Sequence, residues 1–490
     1  MDWDDISPLL TDLTLATHPA PPTPHTLDLS FNESLAKITP LITTNTPTKC
    51  PCSYSKPWWT PEFTQLRRIH HHTSRLMRKN QALPALAQVA RNTYFKAIQS
   101  PKRVHWSWFL PDVDLRSVWD TRKIAAGRAL DGFPTLENPS SPTKINNTLL
   151  QHFFPARPSP PSPLILPAFK DVHLVLPSEV SSALPKSSNT SAPGTSGIPY
   201  SIWKWVHKAN ERLLLSLFTP LLTHGYHPQA IKTANGIVLD KPGKPDYHAP
   251  ASFRIIVLLK TVCEVLETLS ALRLASAAHS LGLLHSNQCG SLACLGSFDT
   301  VATLNHQVSL LQAASFKLST LFLDVQGGVD NVCINKLASI LTKGGVSTSL
   351  VAWMKSFLSR HQCRLIFQGV PRVFCLVAVG TPQGSSISPL LFMLYIASLK
   401  PAIPQGLAIS YIDDLTFTVG LDSVHSNIRA LQHHFGMIQR QGADLGVAFS
   451  VLKAELIHWR TPKDRSDISF ASIVINDMLL LPSQAVRWLG

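Results

Sequence analysis

The stretch LAISYIDDLTFTV, residues 407–419, holds two strand-like runs with acids between them. Leu415, Phe417 and Val419 alternate with Thr416 and Thr418, the period-2 signature of a strand. Two such runs separated only by Ile412, Asp413 and Asp414 predict a tight hairpin whose tip presents adjacent carboxylates. Adjacent acids repel each other, and a divalent cation cancels that repulsion. Hard oxygen ligands with room for phosphate oxygens are the environment that suits Mg²⁺. Taken alone, such a tip is often no more than a polar turn.

Two further segments raise its weight. In STLFLDVQGGVD, residues 319–330, the run Leu321 to Val325 predicts a buried strand that delivers Asp324 at its end. Gly327 and Gly328 then turn the chain, and Asp330-Asn331 starts a helix with Ile334, Leu337, Ile340 and Leu341 on its apolar face. In GTPQGSSISP, residues 380–389, the glycines let the backbone approach a ligand closely, and Gln383 offers a donor and an acceptor to a base or sugar edge. An apolar helix follows. The order matters: strand-borne Asp, then the P-Q-G loop, then the hairpin. Asp324, Asp413 and Asp414 together form a candidate site for two Mg²⁺ ions, with Mn²⁺ as an alternative.

Composition points the same way. Lys and Arg number 44 against 30 Asp and Glu, a net charge of +14, which favours a polyanionic partner. The longest apolar run, 387–399, is too short to span a bilayer and contains Ser388, Pro389 and Ser398. The N-terminus MDWDDISPLL lacks a signal-peptide pattern. Nucleic acid is therefore expected rather than a membrane, in an intracellular setting. The cysteines are scattered without a C-x-x-C pair, and Cys50, Cys52 and the run His70-His71-His72 read as a solvated face rather than a zinc site. Residues 56–110 carry ten Lys or Arg against the single acid Glu62, with Trp58, Trp59, Tyr94, Phe95, Trp106, Trp108 and Phe109 interleaved. Basic charge with stacking rings suits RNA, and Arg67, Arg68, Arg75, Arg78, Lys79, Lys102 and Arg103 are the candidate contacts. A helical pattern runs from Pro199 to Leu222, and from about residue 231 strand-like runs alternate with helices, as in a mixed α/β domain.

The ordered set resembles the reverse transcriptases of non-LTR retrotransposons, fungal ones especially. KPWWTPEFTQLRR (56–68) resembles the segment joining endonuclease to polymerase in such elements. APGTSGIP (192–199) resembles an entry motif, VLDKPGKPDYHAPASFRIIVLLKTVCEVLE (238–267) a fingers motif, GVAFSVLKAELIHW (446–459) a K-T-E region, and RWLG (487–490) a primer-gripping turn. The resemblance implies an α/β (α+β) right-hand polymerase. It would have fingers and an antiparallel palm sheet over 231–460, and palm end with thumb start over 461–490. Before these would come a Pro/Thr-rich linker (1–55), a basic helical region (56–130) and an N-terminal extension (131–230). It implies Asp324, Asp413 and Asp414 as metal ligands and catalytic groups. Lys241 or Lys244 with Arg254 would meet the triphosphate, Val329 would lie beside the sugar, Gln383 and Gly384 would lie near the nascent base pair, and Lys453 near the leaving pyrophosphate. The partners implied are an RNA template, a DNA primer, dNTPs and retrotransposon RNA. Intron maturases and telomerase-like enzymes share a palm, but KPWWTPE argues against them.

Several positions depart from the family pattern. Val329 stands where an aromatic ring usually excludes ribonucleotides. Gly327-Gly328 replaces Gly-Ala, a loosening. Asp240 and Ile255 replace residues typical of the fingers, Ser196 replaces an acid, and Lys453-Ala454-Glu455 lacks a threonine. Leu292 and Leu295 stand where arginines are expected, which predicts weaker hold on template or triphosphate. With a truncated thumb, these departures imply a fragment or decayed copy. The alternative function is a catalytically inactive remnant that only binds nucleic acid.

Overall fold

Strand-forming and helix-forming runs alternate from Thr233 onward, and they sort into two main sheets. The computed structural model describes residues 10, 13, 23–45, 61–78, 84–109, 142–154, 174–189, 191–241, 249–290, 295–367, 370–377, 380–399, 406–460 and 471–489. They belong to two compact units, one spanning 46–133 and the other 2–45 with 134–490.

Helix α1 (Pro24–Asn45) opens the larger unit. The smaller unit holds α2 (Pro61–Arg78) and α3 (Pro84–Phe109). The larger unit resumes with α4 (Pro142–Phe153), α5 (Pro177–Ala183), α6 (Tyr200–Ala209) and α7 (Glu211–Thr223). There follow β1 (Thr233–Asp240), β2 (Phe253–Leu258), α8 (Thr261–Ser280), β3 (Gln288–Cys289), α9 (Ser297–Ala313), β4 (Lys317–Gln326), α10 (Ile334–Lys343), α11 (Thr348–Leu358), β5 (His361–Phe367) and β6 (Val370–Val377). The chain continues through α12 (Ser388–Ile396), β7 (Gly406–Tyr411), β8 (Asp414–Leu421), α13 (Val424–Leu445), β9 (Ala448–Trp459), β10 (Ile473–Ile475) and β11 (Met478–Leu480).

The larger sheet has the order β3-β7-β8-β4-β9. All its pairings are antiparallel except the short parallel pair β3–β7, so the expected antiparallel sheet is present. Both of its faces are covered. Leu321, Leu323, Leu415, Phe417 and Val419 enter the main core, while Phe322 and Ile409 on the other face pack with Leu304 and Val308 of α9. The threonines of the alternating pattern are buried too. Thr320 and Thr418 hydroxyls meet across β4 and β8 at 2.9 Å, and the Trp459 indole donates to Thr320 at 2.7 Å, so these groups are satisfied inside, whereas the buried Thr416 hydroxyl has no partner among the described residues. The smaller sheet, β2-β1-β5-β6, mixes antiparallel pairs with the parallel pair β1–β5. Its own core takes Ile255, Val257, Cys363 and Leu365, together with Leu149 and Phe153 of α4.

Two expectations from sequence change here. Residues 24–45 are not linker: α1 buries Leu27, Phe31, Ile38 and Ile42 in the main core. Asp28 fastens it, accepting from the Tyr226 hydroxyl at 2.8 Å and the Gln229 amide at 2.9 Å. The Pro and Thr content hid an apolar stripe at helical spacing. The helical pattern over Pro199–Leu222 is also two helices, not one. Asn210 breaks it with φ −150 and ψ 95, and its side chain accepts from the Arg212 amide at 3.1 Å to start α7. Between them α5, α6 and α7 share the main core with the larger sheet, so 174–223 is built into this unit. Among the described residues no helix is long and apolar enough to cross a membrane.

Because Phe31 is 3% exposed within the core, Phe31→Ala is expected to lower unfolding free energy by about 3 kcal/mol, measured by urea denaturation. A loss within about 0.5 kcal/mol, as for a surface substitution, would contradict the packing of α1.

Candidate active site

The hairpin tip is tighter than the sequence alone indicates. Tyr411 pairs directly with Asp414, leaving only Ile412 and Asp413 in the turn. Ile412 takes φ +54, a region costly for a β-branched side chain. Its neighbours hold it there. The Ile412 amide donates to the Cys289 carbonyl at 3.2 Å, and the Val325 amide donates to the Asp413 carbonyl at 3.2 Å. Gly290, at φ +84, lies so close that a Cβ would come within 2.8 Å of Ile412 Cγ1 and 3.3 Å of the Tyr411 ring. Strand β3 and its glycine therefore brace the tip. No local pattern marks Gly290, because its constraint comes from Tyr411 and Ile412 far along the chain.

Asp324 is the register partner of Asp414 across β4 and β8. The three expected carboxylates are thus neighbours, with Asp413 exposed at the turn and the other two half-buried. Burial, then the charges of Asp413 and Asp324, push the Asp414 carboxyl up to about 6, against the pull of Lys453. Lys453 lies on β9, and its ammonium meets Asp324 Oδ2 at 3.0 Å. Among the described residues no three His, Cys, Asp or Glu side chains are gathered closely enough to hold a metal ion. The donor set still fits a hard divalent cation: carboxylate oxygens, mutually repelling, with a cationic group already drawn to one of them.

The P-Q-G loop is stitched to this site from two sides. The Thr381 amide donates to the Val329 carbonyl at 3.0 Å and the Gly380 amide to that of Val332 at 3.3 Å. On the other side, the Val257 amide of β2 donates to the Gln383 carbonyl at 2.7 Å. Asp330, Thr381 and Gln383 share a cleft with Ile255 of β2 and Phe153 of α4. Burial pushes the Asp330 carboxyl up to about 6, while the Lys241 charge pulls it down, which puts Lys241 on this side of the cleft. The Lys241 ammonium donates to the Ala251 carbonyl at 3.0 Å, and Arg254 is exposed on β2. Lys244 and Leu292 lie outside the described residues. Leu295 is partly exposed. Two departures read as weaknesses have packing reasons. A Cβ on Gly328 would lie 2.5 Å from the Phe392 ring, so the glycine makes room for Phe392 rather than loosening the turn. Ile255 is 1% exposed in the core of the smaller sheet, where its side chain packs against Gly236.

The smaller unit carries the basic region on its own. Arg68, Arg91 and Lys96 are exposed, and Arg67 reaches His71 at 3.4 Å. His70 stacks on Tyr94, and Arg91 lies 5.4 Å above Phe95. The side chains of Arg75, Arg78, Lys102 and Arg103, together with Lys79, Trp58 and Trp59, lie outside what is described.

Comparison with known proteins now decides the assignment. The family model described as reverse transcriptase (RNA-dependent DNA polymerase) matches residues 239–490, more than half of the chain. The chain belongs to the reverse transcriptase family. The larger sheet is accordingly its palm and the smaller one its fingers. Among its relatives is a probable RNA-directed DNA polymerase from transposon X-element of Drosophila melanogaster. The two are 28% identical over 219 residues, 45% of this chain and 24% of that protein. A retrovirus-related Pol polyprotein from the type-1 retrotransposable element R1 of Bradysia coprophila is 24% identical over 398 residues, 76% of this chain and 38% of that one. The chain therefore spans only a quarter to two-fifths of these relatives. They support a non-LTR element and carry nothing about fungal origin. A solved structure of apo telomerase from Candida tropicalis, truncated from its C-terminal domain, aligns at a TM-score of 0.36 and 14% identity, over 57% of this chain and 59% of that one.

In this reverse transcriptase, Gly384 has φ +130 and a Cβ there would lie 2.6 Å from the Val257 carbonyl oxygen. Gly384→Ala is expected to lower unfolding free energy by about 2 kcal/mol in urea denaturation. An unchanged midpoint would contradict the close approach of loop and fingers.

Proposed function

We propose that this reverse transcriptase copies an RNA template into DNA by adding dNTPs to the 3′-hydroxyl of a DNA primer, as part of a non-LTR retrotransposon. The observation that carries the reading is Asp324 in register with Asp414, beside Asp413 and contacted by Lys453. Asp324, Asp413 and Asp414 would hold the metal. Mg²⁺, or Mn²⁺ in its place, would supply the Lewis acidity that makes the primer hydroxyl a better nucleophile and steadies the leaving pyrophosphate. Lys453 is placed to move from Asp324 to the pyrophosphate and give it a proton or positive charge. Lys241, Lys244 and Arg254 would meet the triphosphate from the fingers, where cations match its charge. Val329 would lie beside the sugar, and Gln383 and Gly384 beside the new base pair. Arg67 and Arg68, with Arg75, Arg78, Lys79, Lys102 and Arg103, would contact retrotransposon RNA through phosphate charge.

Primer extension on an RNA template with Mg²⁺ tests this reading. The parent chain is expected to extend, and Asp413→Ala to lower the rate by about 10³-fold or more while leaving RNA binding intact. Salt-sensitive RNA binding with no extension by the parent chain would leave the binding-only remnant as the function. In the same assay, the small Val329 side chain is expected to admit ribonucleotides, and Val329→Tyr to shift the ratio toward dNTPs by about tenfold. Strong dNTP preference in the parent chain would remove Val329 from that role.

A further inference from the structure

Glu267 is fully buried on α8, away from the three aspartates, and its carboxyl has three donors. The Cys263 thiol donates to Oε1 at 2.9 Å, the Ser385 hydroxyl donates to Oε2, and the Ser386 amide also contributes a hydrogen bond. No basic side chain is among its hydrogen-bond partners. A carboxyl buried without an ion-pair partner costs stability unless its oxygens are well satisfied, and an apolar residue of similar size would suit a merely structural site better. What a polar group supplies here is an acceptor oxygen, above all Oε2 for the Ser385 hydroxyl.

Two of those donors belong to the segment that follows Gln383. The Ser385 amide closes the turn on the Pro382 carbonyl at 3.1 Å, and its hydroxyl accepts from the Ile387 amide at 3.4 Å, leading into α12. The Thr268 hydroxyl, next along α8, donates to that of Ser386 at 3.1 Å. On the opposite side, the Gln383 carbonyl accepts from the Val257 amide of β2. Gly384, at φ +130, sits between the two attachments and offers no side chain to fix the turn.

We propose that Glu267 is a positioning residue for nucleotide selection: by holding Ser385 and Ser386 it sets the angle at which the Pro382–Gly384 turn presents Gln383 to the nascent base pair. The idea rests on the polymerase reading for its consequence, but its structural half stands apart from it. Loss of the bond would let the turn drift about Gly384. That drift affects binding of the incoming nucleotide, whereas the carboxylates at the hairpin and their metal-dependent step stay in place.

The test uses the full chain with Ser385→Ala, Glu267→Ala, the conservative Glu267→Gln, and the Ser385→Ala/Glu267→Ala double variant. Each is assayed for primer extension and for amide hydrogen exchange across residues 380–388. Ser385→Ala and Glu267→Ala are each expected to raise the KM for dNTP by about tenfold with kcat within about threefold, from loss of the Ser385–Glu267 hydrogen bond that both variants remove. The double variant should be no worse than either single one, and Glu267→Gln, which keeps an acceptor toward Ser385, should return KM to within about threefold of the parent. Exchange at 380–388 should quicken in the alanine variants alone. Multiplying effects in the double variant, or a Gln variant as impaired as the Ala variant, would overturn the proposal. If Glu267→Ala fails to fold, Ser385→Ala decides. If the parent chain extends no primer, the polymerase reading fails by itself. The exchange comparison between parent and Ser385→Ala then still decides the positioning role, with unchanged protection at 380–388 overturning it.

Discussion

Asp324 and Asp414 face each other across two hydrogen-bonded strands, with Asp413 one residue away at an exposed turn. Placing like charges in register is unfavourable, and much of the surrounding structure serves to keep them there. The β4–β8 register is locked by the buried Thr320–Thr418 hydroxyl pair and by apolar residues on both faces, so a one-residue slip would turn every side chain to the wrong face. The strained Ile412 at the tip is held by Cys289 and by the missing side chain of Gly290. Lys453 offsets part of the repulsion at Asp324. Under the proposed function, a cation would offset this concentration of negative charge.

The second constraint is the coupling of that site to the fingers. The P-Q-G loop touches the Val329–Val332 turn on one side and β2 on the other, so palm and fingers meet through a few backbone hydrogen bonds. Glycines at 380 and 384 permit these approaches, each where a Cβ would come within 2.7 Å of a carbonyl oxygen. The loop is placed by these bonds together with the burial of Thr381, Ser385 and Ile387.

The parts of the fold most legible in the sequence were those with a short repeat. The period-2 run at 415–419 and the buried run at 321–325 became β8 and β4, and Asp413 fell in the turn between β7 and β8, with Asp414 opening β8. The α1 helix was not legible, because its apolar residues are spaced among prolines and threonines typical of linkers. The break at Asn210 was missed for the opposite reason, a continuous apolar pattern that runs across a capping residue. Gly328 and Ile255 read as departures from a pattern. Their fit depends on Phe392 and Gly236, partners far away in the chain. The roles of Glu267 and Gly290 were not legible, since they depend on neighbours brought together only by folding.

Asp324, Asp413 and Asp414 would form a cation site, with the Lys453 ammonium paired to Asp324 where the cation would bind. Binding of Mn²⁺, followed by electron paramagnetic resonance in the absence of nucleotide, addresses it most directly. The account predicts that Asp324→Asn and Asp414→Asn each weaken Mn²⁺ binding by about tenfold or more, while Lys453→Met, which removes the competing ammonium, tightens it. Equal Mn²⁺ affinity in the parent chain and in both Asn variants would contradict it.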